Sequence, residues 1–223
     1  ISVDHSNMSL FARAENGLCS SMETDRYEDQ PADHWGDADQ NIQDNLPGER
    51  RLDVPYFYQY SNQIQPRATC QNTSVAMVLN YYGAQVRPDQ ITQEFGNQEA
   101  MGLQGLNNLY NRLASRYGVR GIDSYPRGTL AQVKNAIDSG RPVITHGFFT
   151  AGHLVVIVGY NDSGYFVNDP AGVWNLRYSG RYPNAGYEPN AGDTIFYPKR
   201  EFELAIMSFD GRTLDSAYLH IPR

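Results

Sequence analysis

Cysteine is scarce in this chain of 223 residues: there are only Cys19 and Cys70. Two cysteines cannot form a disulfide framework for a domain of this size, and they leave the redox compartment open. Long apolar runs are also missing. Nothing approaches the roughly 18 consecutive apolar residues of a spanning helix, and no basic-then-apolar signal peptide opens the sequence. Membrane insertion is therefore not expected. Basic charge is short as well. The formal charge is −7, and residues 1–50 hold eleven acidic residues against three arginines, leaving fourteen acids against fifteen bases in the rest. A near-neutral body has no basic stripe to neutralise phosphates, which excludes nucleic acid as an expected partner. There is no internal repeat and no closely spaced His/Cys/Asp/Glu cluster such as His-Glu-x-x-His, so neither a metal nor a cofactor is expected.

What remains is an ordinary globular composition, 40% hydrophobic and 19% charged, enough for one sizeable core. Residues 1–50 are rich in Asp, Asn, Gln and Ser with scattered apolar residues such as Leu10, Phe11, Met22 and Trp35. Such a stretch buries little by itself. It reads as an acidic N-terminal extension, either a strap across the main domain or a pro-segment that covers and inhibits the site. The domain is expected over residues 51–223. The chain starts at Ile1, which reads as trimming of a signal peptide or of other upstream sequence.

Leu52-Asp-Val-Pro-Tyr-Phe-Tyr-Gln59 alternates and carries Pro55, which predicts an edge strand. Ser74 to Tyr82 contains no Gly or Pro before Gly83 and predicts a buried helix that opens near Cys70. A short helix is expected over Asp89 to Phe95. Leu106, Leu109, Tyr110, Leu113 and Tyr117 recur at spacings of three and four before Gly118, an amphipathic helix. Another follows from Thr129 as N-cap to Gly140. The period then changes. Pro142 to Gly147, Leu154 to Tyr160 and Tyr165 to Asn168 are strands, the last two joined through the Asn161–Gly164 turn, and Ala217 to Ile221 is expected to close the sheet. Trp174 to Asp193 reads as a long loop. Helices first and strands later indicate an α+β fold.

Three places carry chemistry. Cys70 lies at the mouth of a helix, where first-turn N–H groups and the helix dipole favour a thiolate. Polar neighbours Thr69, Gln71, Asn72 and Thr73 argue against the alternative, a buried structural cysteine. His153 opens an apolar strand after Gly152, at the edge of a site, where an imidazole can take a thiol proton and return it to a leaving amine. His146 is its competitor on a neighbouring strand; His5, His34 and His220 have no comparable setting. Asp169 ends the strand paired with that of His153 and can orient the imidazole. Asn168 is the alternative, and since successive strand residues face opposite ways, only one of the two can point at the histidine. Gln59, with Gln63 and Gln65 as rivals, can offer a side-chain amide to a developing oxyanion, and the Cys70 backbone N–H a second donor.

Val-Pro-Tyr-x-x-Gln ahead of Cys70, the run Thr-Ser-x-Ala-Met-Val-Leu-x-Tyr-Tyr-Gly, Gly-Arg-Pro-Val-Ile, Gly-His-x-Val-Val-Ile-Val-Gly-Tyr and Asn-Asp-Pro-Ala-Gly together form an ordered set. It resembles the stand-alone relatives of the double-glycine leader peptidases, the bacteriocin-processing, C39-like cysteine peptidases. The resemblance runs from about Leu52 to about Ala205. It implies a papain-like fold with N-terminal helices packed on an antiparallel sheet, with nucleophile on Cys70, base on His153, third member on Asp169 and oxyanion glutamine on Gln59. That family often has Cys-Gly-Pro at the nucleophile, whereas this chain has Cys70-Gln71-Asn72. The difference is expected to alter the substrate-facing wall, so leader-peptide specificity does not transfer.

The expected activity is hydrolysis of amide bonds through an acyl-enzyme, on bacterial cell-wall peptides or a protein precursor. The alternatives are a glutamine deamidase or transamidase toxin with the same triad, and a non-enzymatic peptide- or glycan-binding module. Gln71, Asn72, Trp174 and Tyr178 are the expected substrate contacts. Tyr178, Tyr182 and Tyr187 either form a cleft rim or pack the loop onto the domain. A Cys19–Cys70 disulfide would lock the nucleophile under the extension. A bacterial or phage source and secretion or delivery outside the producing cell are expected, with a cytoplasmic location as the alternative.

Overall fold

The computed structural model describes residues 48–207 and 216–223; the strap or pro-segment and Cys19 lie outside the described residues. Five helices are described: α1 (Cys70–Tyr81), α2 (Pro88–Phe95), α3 (Gly102–Tyr117), α4 (Leu130–Asp138) and α5 (Lys199–Ile206). The strands are β1 (Arg50–Arg51), β2 (Ile122–Gly128), β3 (Val143–Gly147), β4 (His153–Tyr160), β5 (Gly164–Asn168), β6 (Ile195–Pro198) and β7 (Ala217–Pro222). They form one antiparallel sheet in the order β2-β7-β3-β4-β5-β6, with β1 added to the far end of β4.

The sheet is covered on both faces. Ile144, Leu154, Val156 and Val158 point into a core shared with α1 and α3, while Val143, Val155, Ile157 and Val167 point into a second core shared with α4 and α5. That explains β4, which reads as an unbroken apolar run rather than an alternating one: residues His153 to Gly159 are all buried.

The helices follow their local signals. α4 starts with a capping box between Thr129 and Gln132, and α3 ends on Gly118 in the left-handed region at φ 66°. Two strand expectations need correction. Leu52 to Tyr58 is extended but not a strand. Leu52 N–H reaches Val158 O and Val54 N–H turns back to Leu52 O, and Pro55 offers no N–H to continue a ladder. Gln59 instead opens a short 3-10 turn, Gln59–Ser61. β7 does not close the sheet but lies between β2 and β3. The edge on that side is β2, whose Pro126 is tolerated at an irregularity between Tyr125 and Gly128.

Candidate active site

The helix that begins with Cys70 is fastened at its first turn. From Cys70 to Leu79 every residue of α1 is buried, and its polar side chains point to different neighbours. Asn62 Nδ2 donates to Thr69 Oγ1 and Thr73 Oγ1, each at 3.0 Å. Ser74 Oγ donates to Leu154 O at 3.4 Å. Positions 70 and 74 share a helix face. The face that carries Cys70 is thus docked against the start of β4, the strand that begins with His153. The first N–H groups of a helix have no intrahelical acceptor, so the mouth of α1 is a natural place to stabilise negative charge. Cys70 is disulfide-bonded in the structure. Gln71 Oε1 lies 3.4 Å from Cys70 Sγ.

His153 and Asp169 are brought together by the β4–β5 pairing and the turn that follows β5. His153 Nε2 lies 2.9 Å from Asp169 Oδ1, with both side chains buried. Ala171 N–H adds a second bond to Oδ1 at 3.0 Å, while the hydroxyls of Tyr182 and Tyr197 donate to Oδ2 at 2.7 and 2.9 Å. Burial and the Asp169 charge push both phenols well above their ordinary pKa, so they stay protonated donors. Asn168 faces away from the histidine. Its amide N–H reaches Val54 O and its Oδ1 accepts from Thr194 N–H, each at 2.9 Å, fixing the start of the domain and the end of the long loop.

The backbone around Asp169 is held equally closely. Its N–H donates to Gly192 O at 2.8 Å, and its carbonyl accepts from Tyr56 OH at 2.9 Å. A Cβ on Gly192 would lie 2.0 Å from Asp169 O, so only glycine allows this approach. Gln59 joins the same corner. Its N–H donates to Pro170 O at 2.8 Å, and its Nε2 donates to Pro66 O at 3.0 Å. One N–H of that amide is thereby oriented, and the second is left to point elsewhere; Gln59 Oε1 is buried without a partner. Gln63 and Gln65 take no comparable position: Gln63 Nε2 turns to Ser61 O, and Gln65 is a loop residue in the left-handed region at φ 48°.

His146 belongs to another cluster. It lies on β3, Nε2 to Nε2 with His220 at 2.8 Å, while His220 Nδ1 meets Ser124 Oγ at 2.6 Å.

Three of the expected substrate contacts are buried. Gln71 is 1% exposed and donates to Asn97 O and Ala68 O; Asn72 is 0% exposed and donates to Thr92 Oγ1 and Gly96 O. The pair beside Cys70 ties the segment after α2 to α1. Trp174 is 2% exposed, edge-on to Phe149 and Tyr197, with its backbone N–H on the Tyr197 hydroxyl. Tyr178 does reach the surface, against Phe148. The three loop tyrosines divide: Tyr187 is exposed, Tyr178 half so, and Tyr182 is buried under the site. Tyr197, Tyr56 and the Asp169 bond of Tyr182 had no signal in the sequence, because tertiary folding alone brings these phenols to the carboxylate. Among the described residues no group of three or more His, Cys, Asp or Glu is arranged to hold a metal ion, and no helix is long and apolar enough to cross a membrane.

A profile of the Peptidase_C39 like family matches residues 51–192, more than half of the chain. The chain belongs to that family. The matched segment includes Cys70, His153, Asp169 and Gln59, and extends through most of the 171–194 loop. Among solved structures, the chain is similar to a protein from Bacillus anthracis assigned as a C39-like peptidase. The identity is 16% and the TM-score 0.51, covering 78% of this chain and 97% of the other. It is also similar to a double glycine motif protease from an AMS/PCAT transporter, solved in complex with the leader peptide. There the identity is 20% and the TM-score 0.49, covering 78% of this chain and 94% of that one. No curated protein matches the chain. The fold is thus that of C39-like peptidases, helices on an antiparallel sheet, as in the papain-like α+β class, and family and fold support a cysteine peptidase.

Proposed function

We propose that this member of the Peptidase_C39 like family hydrolyses amide bonds of peptides through an acyl-enzyme on Cys70. The observation that carries the reading is the buried 2.9 Å contact between His153 Nε2 and Asp169 Oδ1, next to a helix that starts at Cys70. With Nε2 held by the carboxylate, Nδ1 is the ring nitrogen left to exchange protons.

The disulfide at Cys70 must first be reduced, since only a thiolate can attack. The sulfur then bonds to the substrate carbonyl carbon while His153 holds the thiol proton. The C–N bond breaks as that proton passes to the departing amine. Water next attacks the thioester, giving its proton to His153, and the acid leaves as the thiol is restored. The remaining amide N–H of Gln59 and the Cys70 backbone N–H are the donors for the oxyanion.

Purified peptidoglycan and a peptide library, each incubated with reduced protein and with its Cys70→Ala variant, test this. New peptide ends that depend on Cys70 support hydrolysis, and muropeptide release assigns cell-wall stem peptides as substrate. Conversion of glutamine to glutamate without new ends moves the reading to deamidation. Absence of any Cys70-dependent change in both substrates overturns it.

A further inference from the structure

Asp169 can orient His153 only if the carboxylate itself does not turn. Oδ1 is fixed by His153 Nε2 and Ala171 N–H, and Oδ2 by two phenols. The two phenols differ. Tyr197 sits on strand β6, and its hydroxyl also accepts the Trp174 N–H, so it is part of the frame behind the site. Tyr182 comes from the long loop, and its ring stands edge-on to the His153 imidazole at 5.1 Å between centroids. It touches both members of the pair. At 4% exposure it also keeps water from the bond between them.

We propose that Tyr182 is a positioning residue for the reaction at Cys70: its hydroxyl holds Asp169 turned toward His153, and its ring seals the pair. The inference rests on the peptidase reading above. Its chemical consequence has a definite sign. A phenol that donates to a carboxylate withdraws charge from it, so the carboxylate stabilises the imidazolium less than it would unaided. A stronger donor withdraws more of that charge, and removing the donor withdraws none. The other titratable groups facing the pair are Tyr197 from β6, and Tyr56 and Tyr60 from the segment before Cys70, whose pKa values the Asp169 charge also raises.

Iodoacetamide alkylation of Cys70, followed by peptide mapping on fully reduced full-length protein across pH 4 to 10, measures this without a known substrate. Tyr182→Phe should move the His153-dependent limb of the profile upward, while 3-fluorotyrosine at position 182, a more acidic phenol of the same shape, should move it downward. Where Tyr182→Phe does not fold, the fluorotyrosine protein alone decides. In the peptide assay, Tyr182→Phe should lower kcat about tenfold or more with KM little changed, the loss of one hydrogen bond to a charged group. An alkylation profile identical to wild type in the folded variants overturns the role of Tyr182. If His153→Ala leaves the alkylation rate unchanged, it is the underlying peptidase reading that fails.

Discussion

The Nε2 atoms of His146 and His220 lie 2.8 Å apart, so one ring must carry the shared proton and the other accept it. Ser124 Oγ, 2.6 Å from His220 Nδ1, accepts from Asn107 Nδ2 and can give its own proton to the ring, which orders the chain from α3 through β2 and β7 to β3. This network holds the face of the sheet under α3. Burial lowers the His146 pKa to about 4, and His220, with His146 beside it, is pushed well below its usual value. A histidine whose folded pKa is depressed is neutral in the native state and charges more readily when unfolded. Stability is therefore fully present above the unfolded value of about 6.5 and is lost as pH falls from there toward about 4. Denaturant midpoints measured between pH 7 and 4 should show this decline, and His146→Gln should flatten it. An unchanged slope would contradict the assignment.

Substituting the two neighbours at the end of β5 should separate chemistry from stability. Asp169→Asn should reduce turnover by about 10²-fold or more, the range in which a misoriented base is felt. Asn168→Ala should instead cost about 1–3 kcal/mol of stability, since it leaves Val54 O and Thr194 N–H unsatisfied. Paired kinetics and urea titrations on both variants check the division.

Asn72→Ala should act on folding, not on substrate. Its amide bonds to Thr92 Oγ1 and Gly96 O are buried, and their loss should lower stability by about 1–3 kcal/mol with KM unchanged. A large change in KM at unchanged stability would restore a substrate-facing role to the residue.

Reductant should act as an on-switch. Without a dithiol, iodoacetamide should leave Cys70 unlabelled; with one, label should appear at Cys70 together with activity. Mass mapping of the labelled peptide reads the result directly.

Gly192→Ala should impair the site from outside it. A methyl group there would meet both Asp169 O and the Tyr56 hydroxyl at 2.7 Å or less. The aspartate backbone must then shift, so turnover should fall more than the melting temperature accounts for.

Much of this was legible from local pattern. Helices α1, α3 and α4 follow from apolar spacing and glycine terminators, and the opposition of Asn168 to Asp169 follows from the two-residue period of a strand. β2 has no clear local pattern because Pro126 interrupts it, a defect an edge position tolerates. For Trp174 and the Gln71-Asn72 pair, polarity and loop context suggest exposure. Their burial comes from partners 20 or more residues away, which no local window contains. Tyr182 and Tyr197 are illegible for the same reason: a phenol's partner is set by the fold, not by its neighbours in the chain.

The two-residue strand β1 has a consequence for reach. Arg50 and Arg51 pair with Tyr160 and Gly159, at the opposite end of β4 from His153. Seven strand steps separate Tyr160 from His153, about 23 Å at the usual rise. Whatever precedes Arg50 is therefore moored one strand length from the histidine, and any part of it that acts on Cys70 does so on a leash. Shortening that leash below about seven extended residues would sever the two, whatever the sequence at its end.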